Sequence, residues 1–365
     1  MLALAAALTV GIVACGSSSS STTSSGEATE SSETTEASEE SGGGGETIPN
    51  LTFSGFEAKL PDCYEEPKKE NITIGYASPT KVNEATAALA RVVELEAEEL
   101  GGKVIVEDAN SEPDKQVTEV QRLIAQNVSA IILFPLDPKA LAPVLKQAEA
   151  AGIPVLGIAA NSFEAKPPAG FVSQVVESEG ESGFLAAKKM AETIPQGSEV
   201  GLVNFSVPVP VIERYIEVAK EYAKKFGLNP VALQSNPSDD ITGGEKAMTG
   251  LLGEVPNLAG VLAYNDESAT GAHSVARSQG KEVAITGNNG GKLGYTSVES
   301  GAIIASMQLS VVDYGRCAVK GAFDLAQGKK VPIAVRGAAN NVIEKATVSE
   351  LPNWEEQIEE IFGRS

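Results

Sequence analysis

The feature that most constrains the fold is a regular alternation of short β-branched runs with longer helical stretches, which begins at Asn71. Residues 72–76 are a β-branched run that predicts a strand, and the Ala-, Leu- and Glu-rich stretch 83–100 predicts a helix. The two patterns then repeat as strand 103–107, helix 113–126, strand 130–134, helix 138–151 and strand 154–158. Strands joined by helices over short connections predict a doubly wound parallel sheet of the α/β class.

The alternation starts again in the second half of the chain. Predicted helices at 178–193, 211–226, 240–252 and 266–279 alternate with predicted strands at 199–203, 231–234, 259–263 and 283–286, and strand 302–307 and helix 311–327 follow. About 315 residues follow position 50, which is too long for one core and suits two. Two successive modules of similar size therefore predict two similar lobes.

The first 50 residues have a different character. An apolar run at residues 2–13 is too short for a permanent membrane helix but fits a secretory signal, and Cys15 follows Ala14. This junction resembles the lipobox of bacterial lipoproteins. The resemblance implies a signal peptide at 1–14, lipidation of Cys15, and a mature protein held to the outer face of the membrane. Residues 16–50 are nearly all Ser, Thr, Gly and Glu, which predicts a disordered tether at 15–50.

Charge and composition exclude several function classes. The formal net charge is −21, and a chain this acidic is a poor partner for a phosphate backbone, so no nucleic acid is expected. The single histidine, His273, lies inside a predicted helix and cannot build a two-histidine zinc motif or a conventional catalytic triad. No P-loop, nucleophile elbow or dinucleotide fingerprint is present. We therefore expect no enzyme activity, no cofactor and no metal.

Amide side chains recur where predicted strands end. Ligands of open α/β sheets bind at the carboxyl ends of strands, and there the chain places Asn83, Asn265, Asn289 and Gln308. Asn83 and Asn265 also fit helix N-caps, and the stretch 288–291 also fits a turn. Buried amides need partners, which a ligand could supply, so both interpretations stay open from the residues alone.

Five stretches in a fixed order carry a family resemblance: 96–101, 110–116, 151–155, 265–267 with Gly271, and 285–290. From about residue 72 to 342 the chain resembles the ribose/galactose-type (type I) periplasmic binding proteins that serve ABC importers. The resemblance implies two doubly wound lobes joined by a three-stranded hinge, with crossovers near Val176, Leu309 and Val335. The implied N-terminal lobe is 51–176 plus 309–335, the C-terminal lobe is 177–308 plus 336–350, and 351–365 is a tail.

The resemblance also implies a set of ligand contacts. Asn83, Asn265 and Gln308 match ligand-contacting amides of the family, and Asn289 falls where the family usually has an Asp. Asp240 falls at a cleft aromatic, and Asp266 follows Asn265. Other positions depart from the sugar-binding pattern: Ala85 and Thr86 replace an aromatic pair, Ala159 and Ala160 an Asp-Arg pair, and Ile212 an Arg. The solute is therefore predicted to be neutral or weakly cationic rather than an anion.

Cys63 and Cys317 are the two cysteines besides Cys15. In an oxidising compartment an isolated pair is a candidate disulfide, and the alternative is two unrelated buried thiols. The family resemblance places both segments in the N-terminal lobe and so implies the bond.

These observations favour one function. We predict an extracytoplasmic, lipid-anchored, monomeric solute-binding protein that captures a small polar, sugar-like, uncharged solute and presents it to an ABC permease. Its contact with the membrane would be the lipid anchor alone. The alternative is a sensory lipoprotein that presents its bound form to a membrane receptor or kinase. An extracellular hydrolase on the same scaffold is disfavoured because no nucleophile and base are marked.

Overall fold

The computed structural model describes residues 63–161, 166–176, 179–337 and 340–364. Strands and helices alternate through most of this part of the chain. In order they are β1 Thr73–Ser78, α1 Glu84–Glu99, β2 Lys103–Asp108, α2 Pro113–Ala125, β3 Ile131–Leu133, α3 Pro138–Ala150, β4 Val155–Ile158, β5 Ser173–Val176, α4 Glu179–Thr193, β6 Glu199–Phe205, α5 Pro210–Lys225, β7 Asn229–Asn236, α6 Ile241–Glu254, β8 Gly260–Ala263, α7 Asp266–Ser278, β9 Ala284–Asn289, α8 Lys292–Ser300, β10 Ala305–Gln308, α9 Val311–Ala326, β11 Ala334–Arg336, β12 Asn341–Glu344 and α10 Trp354–Phe362.

The strands form two six-stranded sheets, which define two lobes. The first sheet has the order β11-β5-β4-β3-β1-β2, and the second has the order β12-β10-β9-β8-β6-β7. Every pairing is parallel except that of β10 with β12. The prediction of an α/β fold with two parallel-sheet lobes is confirmed.

The chain passes between the lobes at three places. It leaves the first sheet after β5 and enters α4, which packs on α5 and β9 of the second lobe. It returns after β10 into α9, which packs on α1 and β4 of the first lobe. The last passage joins β11 of the first sheet to β12 of the second. Both lobes are thus assembled from separated parts of the chain.

The burial of the central strands explains why continuous apolar runs in the sequence predict them. Every residue of β3, β4 and β8 is buried, as expected for parallel strands covered by helices on both faces. Small residues let the covering helices approach closely. A Cβ on Gly271 of α7 would lie 2.2 Å from the carbonyl oxygen of Ile241, so α6 and α7 meet through their backbones.

Five elements were not predicted from the sequence: β5, α8, β11, β12 and α10. The strands are three or four residues long, like β3 and β4, but their sequences Ser-Gln-Val-Val, Ala-Val-Arg and Asn-Val-Ile-Glu include polar residues, so no continuous apolar run marks them. Helix α10 falls inside the predicted tail 351–365 and begins with a capping box of Asn353 and Glu356. The indole Nε1–H of Trp354 donates to the Leu309 carbonyl at 3.0 Å, which holds this helix at the second crossover.

The start of the described chain is fastened to the first lobe. Cys63 and Cys317 of α9 form a disulfide with their Cα atoms 5.4 Å apart, so the pairing that the residues alone left open is present. The next residue, Tyr64, shares a hydrogen bond with Ser173 Oγ at 2.6 Å, at the start of β5. Cys15 and residues 1–62 lie outside the described residues. Within the described part, no helix is both long and apolar enough to cross a membrane.

The disulfide generates the first testable prediction. Because it joins residues 254 positions apart, it removes much conformational freedom from the unfolded chain. A Cys63→Ser/Cys317→Ser double variant is expected to lose about 2–5 kcal/mol of unfolding free energy in urea titrations. In a Cys15→Ala chain, thiol titration under denaturing, non-reducing conditions should detect no free thiol; full titration of Cys63 and Cys317 would contradict the bond.

Candidate functional site

A cavity lies between the two lobes at the carboxyl ends of their strands, with a volume of about 70 Å³. Its walls come from both lobes: Asn83, Ala85, Thr86, Leu89, Phe134, Leu309 and Val311 on one side, and Glu179, Val211, Ile212, Asp239, Tyr264 and Asn289 on the other. Small-molecule sites usually span several hundred Å³. A sugar-sized solute therefore requires the lobes to stand further apart than they do here.

Asn83 lies on the cavity wall and also caps a helix. Its Oδ1 accepts a hydrogen bond from the Ala85 N–H at 2.8 Å, the N-cap interaction of α1. Its Nδ2 donates across the cleft to Glu267 Oε2 at 3.3 Å. The two interpretations of this residue are therefore compatible, because the cap uses the oxygen and leaves the amide nitrogen for the cleft.

The lobes cap each other's helices, in a pair of contacts that we term the cross-lobe latch. Glu267 of the second lobe accepts the N–H of Glu84, the first residue of α1, at 3.2 Å. Glu84 of the first lobe accepts the N–H of Leu293, near the start of α8, at 3.0 Å. The N-terminal peptide groups of a helix lack partners within it, and here the opposite lobe supplies them.

Asp239 is one of two acidic residues that the second lobe presents to the cavity. Its backbone has φ 56°, a left-handed conformation that Asp tolerates better than most side chains. Its Oδ1 accepts hydrogen bonds from Tyr264 Oη at 2.6 Å and from Asn265 Nδ2 at 2.8 Å. Asn265 is fully buried behind it and caps α7 through the Ser268 N–H at 2.8 Å. Asn265 therefore positions Asp239 and does not line the cavity.

Asp239, and not the predicted contact Asp240, lines the cavity. Asp240 is the N-cap of α6, where its Oδ1 accepts the Gly243 N–H at 2.7 Å and the Ser238 hydroxyl at 2.7 Å. It is absent from the cavity wall. The left-handed turn at Asp239 reverses which of the two carboxylates faces the cleft, and no local pattern in the sequence marks that turn.

Asp266 supports the turn that carries Asn289. It is buried, and its carboxylate accepts the Gly290 N–H at 2.9 Å and the Ser306 hydroxyl at 2.6 Å. Gly290 has φ 72°, and a Cβ there would lie 2.4 Å from the Gln308 Cα, so the turn requires glycine. Asn289, next to this turn, lines the cavity and donates to Asn83 Oδ1 at 3.5 Å.

Gln308 is directed away from the cavity, against the sequence-based expectation. Its Nε2 donates to Tyr295 Oη at 3.0 Å and to the Pro352 carbonyl at 2.9 Å, and its Oε1 accepts from Asn341 at 3.2 Å. These partners lie in α8, in the segment before α10 and in β12. The physical reason is that the C-terminal segment folds back over β10 and takes up the amide.

Glu179 is a cavity residue that the sequence analysis missed. It is the first residue of α4, directly after the first crossover, and it is buried. Its Oε2 accepts a hydrogen bond from Asn288 Nδ2 at 3.0 Å. A position shortly after a strand end is the signal that identifies such residues, but strand β5, which precedes Glu179, was not predicted.

Burial sets the protonation of the cleft carboxyls. It raises the pKa of Glu179 to about 8, against one opposing hydrogen bond from Asn288. It likewise raises the pKa of Asp239 to about 7 and that of Asp266 to about 7. For Glu267, burial followed by repulsion from Asp239 and Asp266 raises the pKa to about 8. Among the described residues no cluster of side chains is arranged to hold a metal ion.

These shifts predict how stability depends on pH. A carboxyl whose pKa is higher in the folded than in the unfolded state stabilises the fold below its unfolded value, and that contribution disappears as pH rises through the folded value. For Glu179 the window runs from about pH 4.5 to 8. The melting temperature should therefore fall between pH 5 and pH 9.

The Glu179→Gln variant keeps an acceptor for Asn288 and should show a shallower fall than the wild-type protein. Glu99→Gln, at an exposed position of α1, serves as the matched control and should follow the wild-type curve. Superimposable pH profiles for wild type and Glu179→Gln would contradict the assignment.

The sequence is similar to those of known proteins over most of its length. The sequence profile of a family described as periplasmic binding protein domain matches residues 74–330. The ribose import binding protein of Bacillus subtilis is 31% identical over 264 residues, covering 72% of this chain and 84% of that protein.

Solved structures of solute-binding proteins superpose on most of the chain. One from Mycobacterium smegmatis with bound glycerol has a TM-score of 0.69 and 26% identity, covering 77% of this chain and 97% of that one. One from Actinobacillus succinogenes with bound D-allose has a TM-score of 0.68 and 23% identity, covering 77% of this chain and 100% of that one. At 23% identity, the superposition on the Actinobacillus succinogenes protein shows that the two chains have the same fold.

Proposed function

Because this chain belongs to the family of periplasmic binding protein domains, we propose that it captures a small polar, sugar-like solute between its lobes and delivers it to an ABC importer. The observation that carries the proposal is the cavity, whose walls are contributed by both lobes at the carboxyl ends of their strands. A solute bound there contacts both lobes at once and stabilises the closed arrangement. The relatives are binding proteins and not enzymes.

The residues that line the cavity restrict the chemical class of the solute. Among the described residues that line the cavity none is Lys or Arg, and two, Glu179 and Asp239, are acidic. Moving an unpaired anionic group into such a site costs several kcal/mol. The names of the relatives mention ribose, allose and glycerol, which are polyhydroxyl compounds without charge. The proposed solute therefore offers hydroxyl groups and carries no negative charge.

Export and anchoring complete the proposal. The protein works outside the cytoplasm, as a monomer, with the lipid on Cys15 as its attachment to the membrane and an ABC permease as its partner. Support comes from the residues around Cys15, since Ala14 precedes it and an acidic Ser/Thr/Gly-rich stretch follows it. A tether of that composition reaches roughly 30–35 Å, enough to clear a lipid headgroup layer.

Closure on binding provides the test of solute capture. A thermal-shift screen of sugars, polyols and nucleosides should give a compound that raises the melting temperature, because a ligand that binds the native state stabilises it. Small-angle scattering at saturation should then show a smaller radius of gyration. Thr86→Trp should abolish the shift by filling the cavity, whereas Thr296→Trp, on the outer lobe surface, should retain it. An unchanged radius at saturation would contradict capture by closure.

The anchor is tested separately. Wild-type protein expressed in a bacterial host should partition into the detergent phase, whereas Cys15→Ala should remain in the aqueous phase or as uncleaved precursor. Cys15 is the nucleophile that receives the lipid, so no other residue can replace it. Equal partitioning of the two forms would refute lipidation.

A further inference from the structure

The cavity wall carries two buried carboxyl groups that come from different parts of the second lobe. Glu179 begins α4, and Asp239 precedes α6, yet both line the same cavity. Their exposed fractions are 5% and 6%. Glu267, 7% exposed, adds a third carboxyl from the first turn of α7, and the Asn83 amide joins it to the cavity wall. Three acidic groups are thus withdrawn from water around one cavity.

The neighbours of these carboxyls do not neutralise them. Glu179 accepts from the Asn288 amide, and Tyr215 of α5 is the titratable group found near it in the described part of the chain. Asp239 accepts from Tyr264 and Asn265, with Asp240 and Glu267 nearby. Glu267 faces Asp239 and Asp266. Every one of these neighbours is neutral or acidic.

A second observation concerns Asn288, which lies behind the cavity wall and donates to Glu179. Asn288 donates both hydrogens of its amide, to Glu179 Oε2 and to the Tyr264 carbonyl. Its Oδ1 is buried and has no hydrogen-bond partner. Buried acceptors without a donor are rare in native proteins. The residue that partners Glu179 is thus itself incompletely hydrogen-bonded.

The cost of burying a carboxylate is offset by hydrogen bonds, by a compensating cation or by protonation, and no cation is among the neighbours described above. A protonated amine offers three N–H donors and one positive charge on a small group, whereas a hydroxyl offers one donor and no charge. The raised pKa of Glu179, to about 8, and that of Asp239, to about 7, are what burial without a cation produces. An amine that enters the cavity removes that cost.

We propose that the cleft selects a solute bearing a protonated amine together with hydroxyl groups, such as an amino sugar or an amino-cyclitol, with Glu179 and Asp239 as the residues that recognise the amine. The inference rests on the proposed function, since it assigns the solute class of the same site. The other polar groups on the wall, Asn83, Thr86 and Asn289, suit the hydroxyls, and the apolar side chains of Leu89 and Phe134 suit ring carbons.

Matched ligands test the charge without changing the ring. Titration calorimetry of the full chain at pH 7 would compare D-glucosamine with D-glucose and N-acetyl-D-glucosamine, and an amino-cyclitol with myo-inositol. The amine of at least one set should bind about tenfold to a hundredfold more tightly than its neutral partners, as expected for hydrogen bonds to charged groups.

Matched variants locate the recognition. Glu179→Gln and Asp239→Asn should each remove most of the preference for the amine, so that the amine and its neutral partner bind the variant with similar affinity. Asp240→Asn is the control: it deletes the same charge one position away, and Asn preserves the cap of α6. Circular dichroism would verify that each variant is folded.

The outcomes separate this inference from the proposed function. A neutral sugar that binds as tightly as its amine, or an amine preference that persists in both cavity variants, overturns the charge assignment and leaves solute capture intact. If no sugar, polyol or amine of these sets binds or shifts the melting temperature, solute capture as proposed fails, and this inference fails with it.

Discussion

The closed arrangement depends on the peptide groups at helix N-termini. In parallel α/β lobes these termini gather at the carboxyl edge of the sheet, and their first N–H groups need acceptors. Asn83 and Asn265 satisfy part of this need within their own lobes. The cross-lobe latch satisfies more of it, because Glu267 and Glu84 each accept from a helix of the opposite lobe. Because these bonds run between the lobes, separating the lobes would leave those N–H groups to water.

This arrangement gives the cleft side chains two tasks each. Asn83 caps α1 with its oxygen and contacts the second lobe with its nitrogen. Asp266 holds the Gly290 turn and thereby the position of Asn289. A scaffold that uses amides and carboxylates in this way needs few extra residues to form a binding wall. Because one side chain can both cap a helix and face the cleft, the residues alone do not distinguish a cap from a ligand contact.

The acidic character of the cleft is the second consequence. Carboxylates are favourable at helix N-termini because the macrodipole is positive there, and Glu84, Asp266 and Glu267 occupy such positions. Burial then raises the pKa of Glu267 and Asp266. The positions where the sugar-binding pattern has arginine are occupied by Ala160 and Ile212, so the carboxyls are not neutralised from that side. Of the carboxyls on the cavity wall itself, Glu179 also begins a helix, as the first residue of α4.

The sequence by itself determined the class of fold and the repetition of the module, and it marked Asn83 and Asn265 as candidate caps of α1 and α7, because these follow from local periodicity and from side chains bonding within a few residues. It also marked Asn83 and Asn289, which line the cavity. Only the tertiary structure decided that Asp239 and not Asp240 faces the cleft, since that depends on one left-handed residue. It likewise brought Glu179 to the wall after strand β5, which was not predicted, and turned Gln308 toward Pro352. These outcomes depend on contacts between residues far apart in the chain, which local patterns do not record.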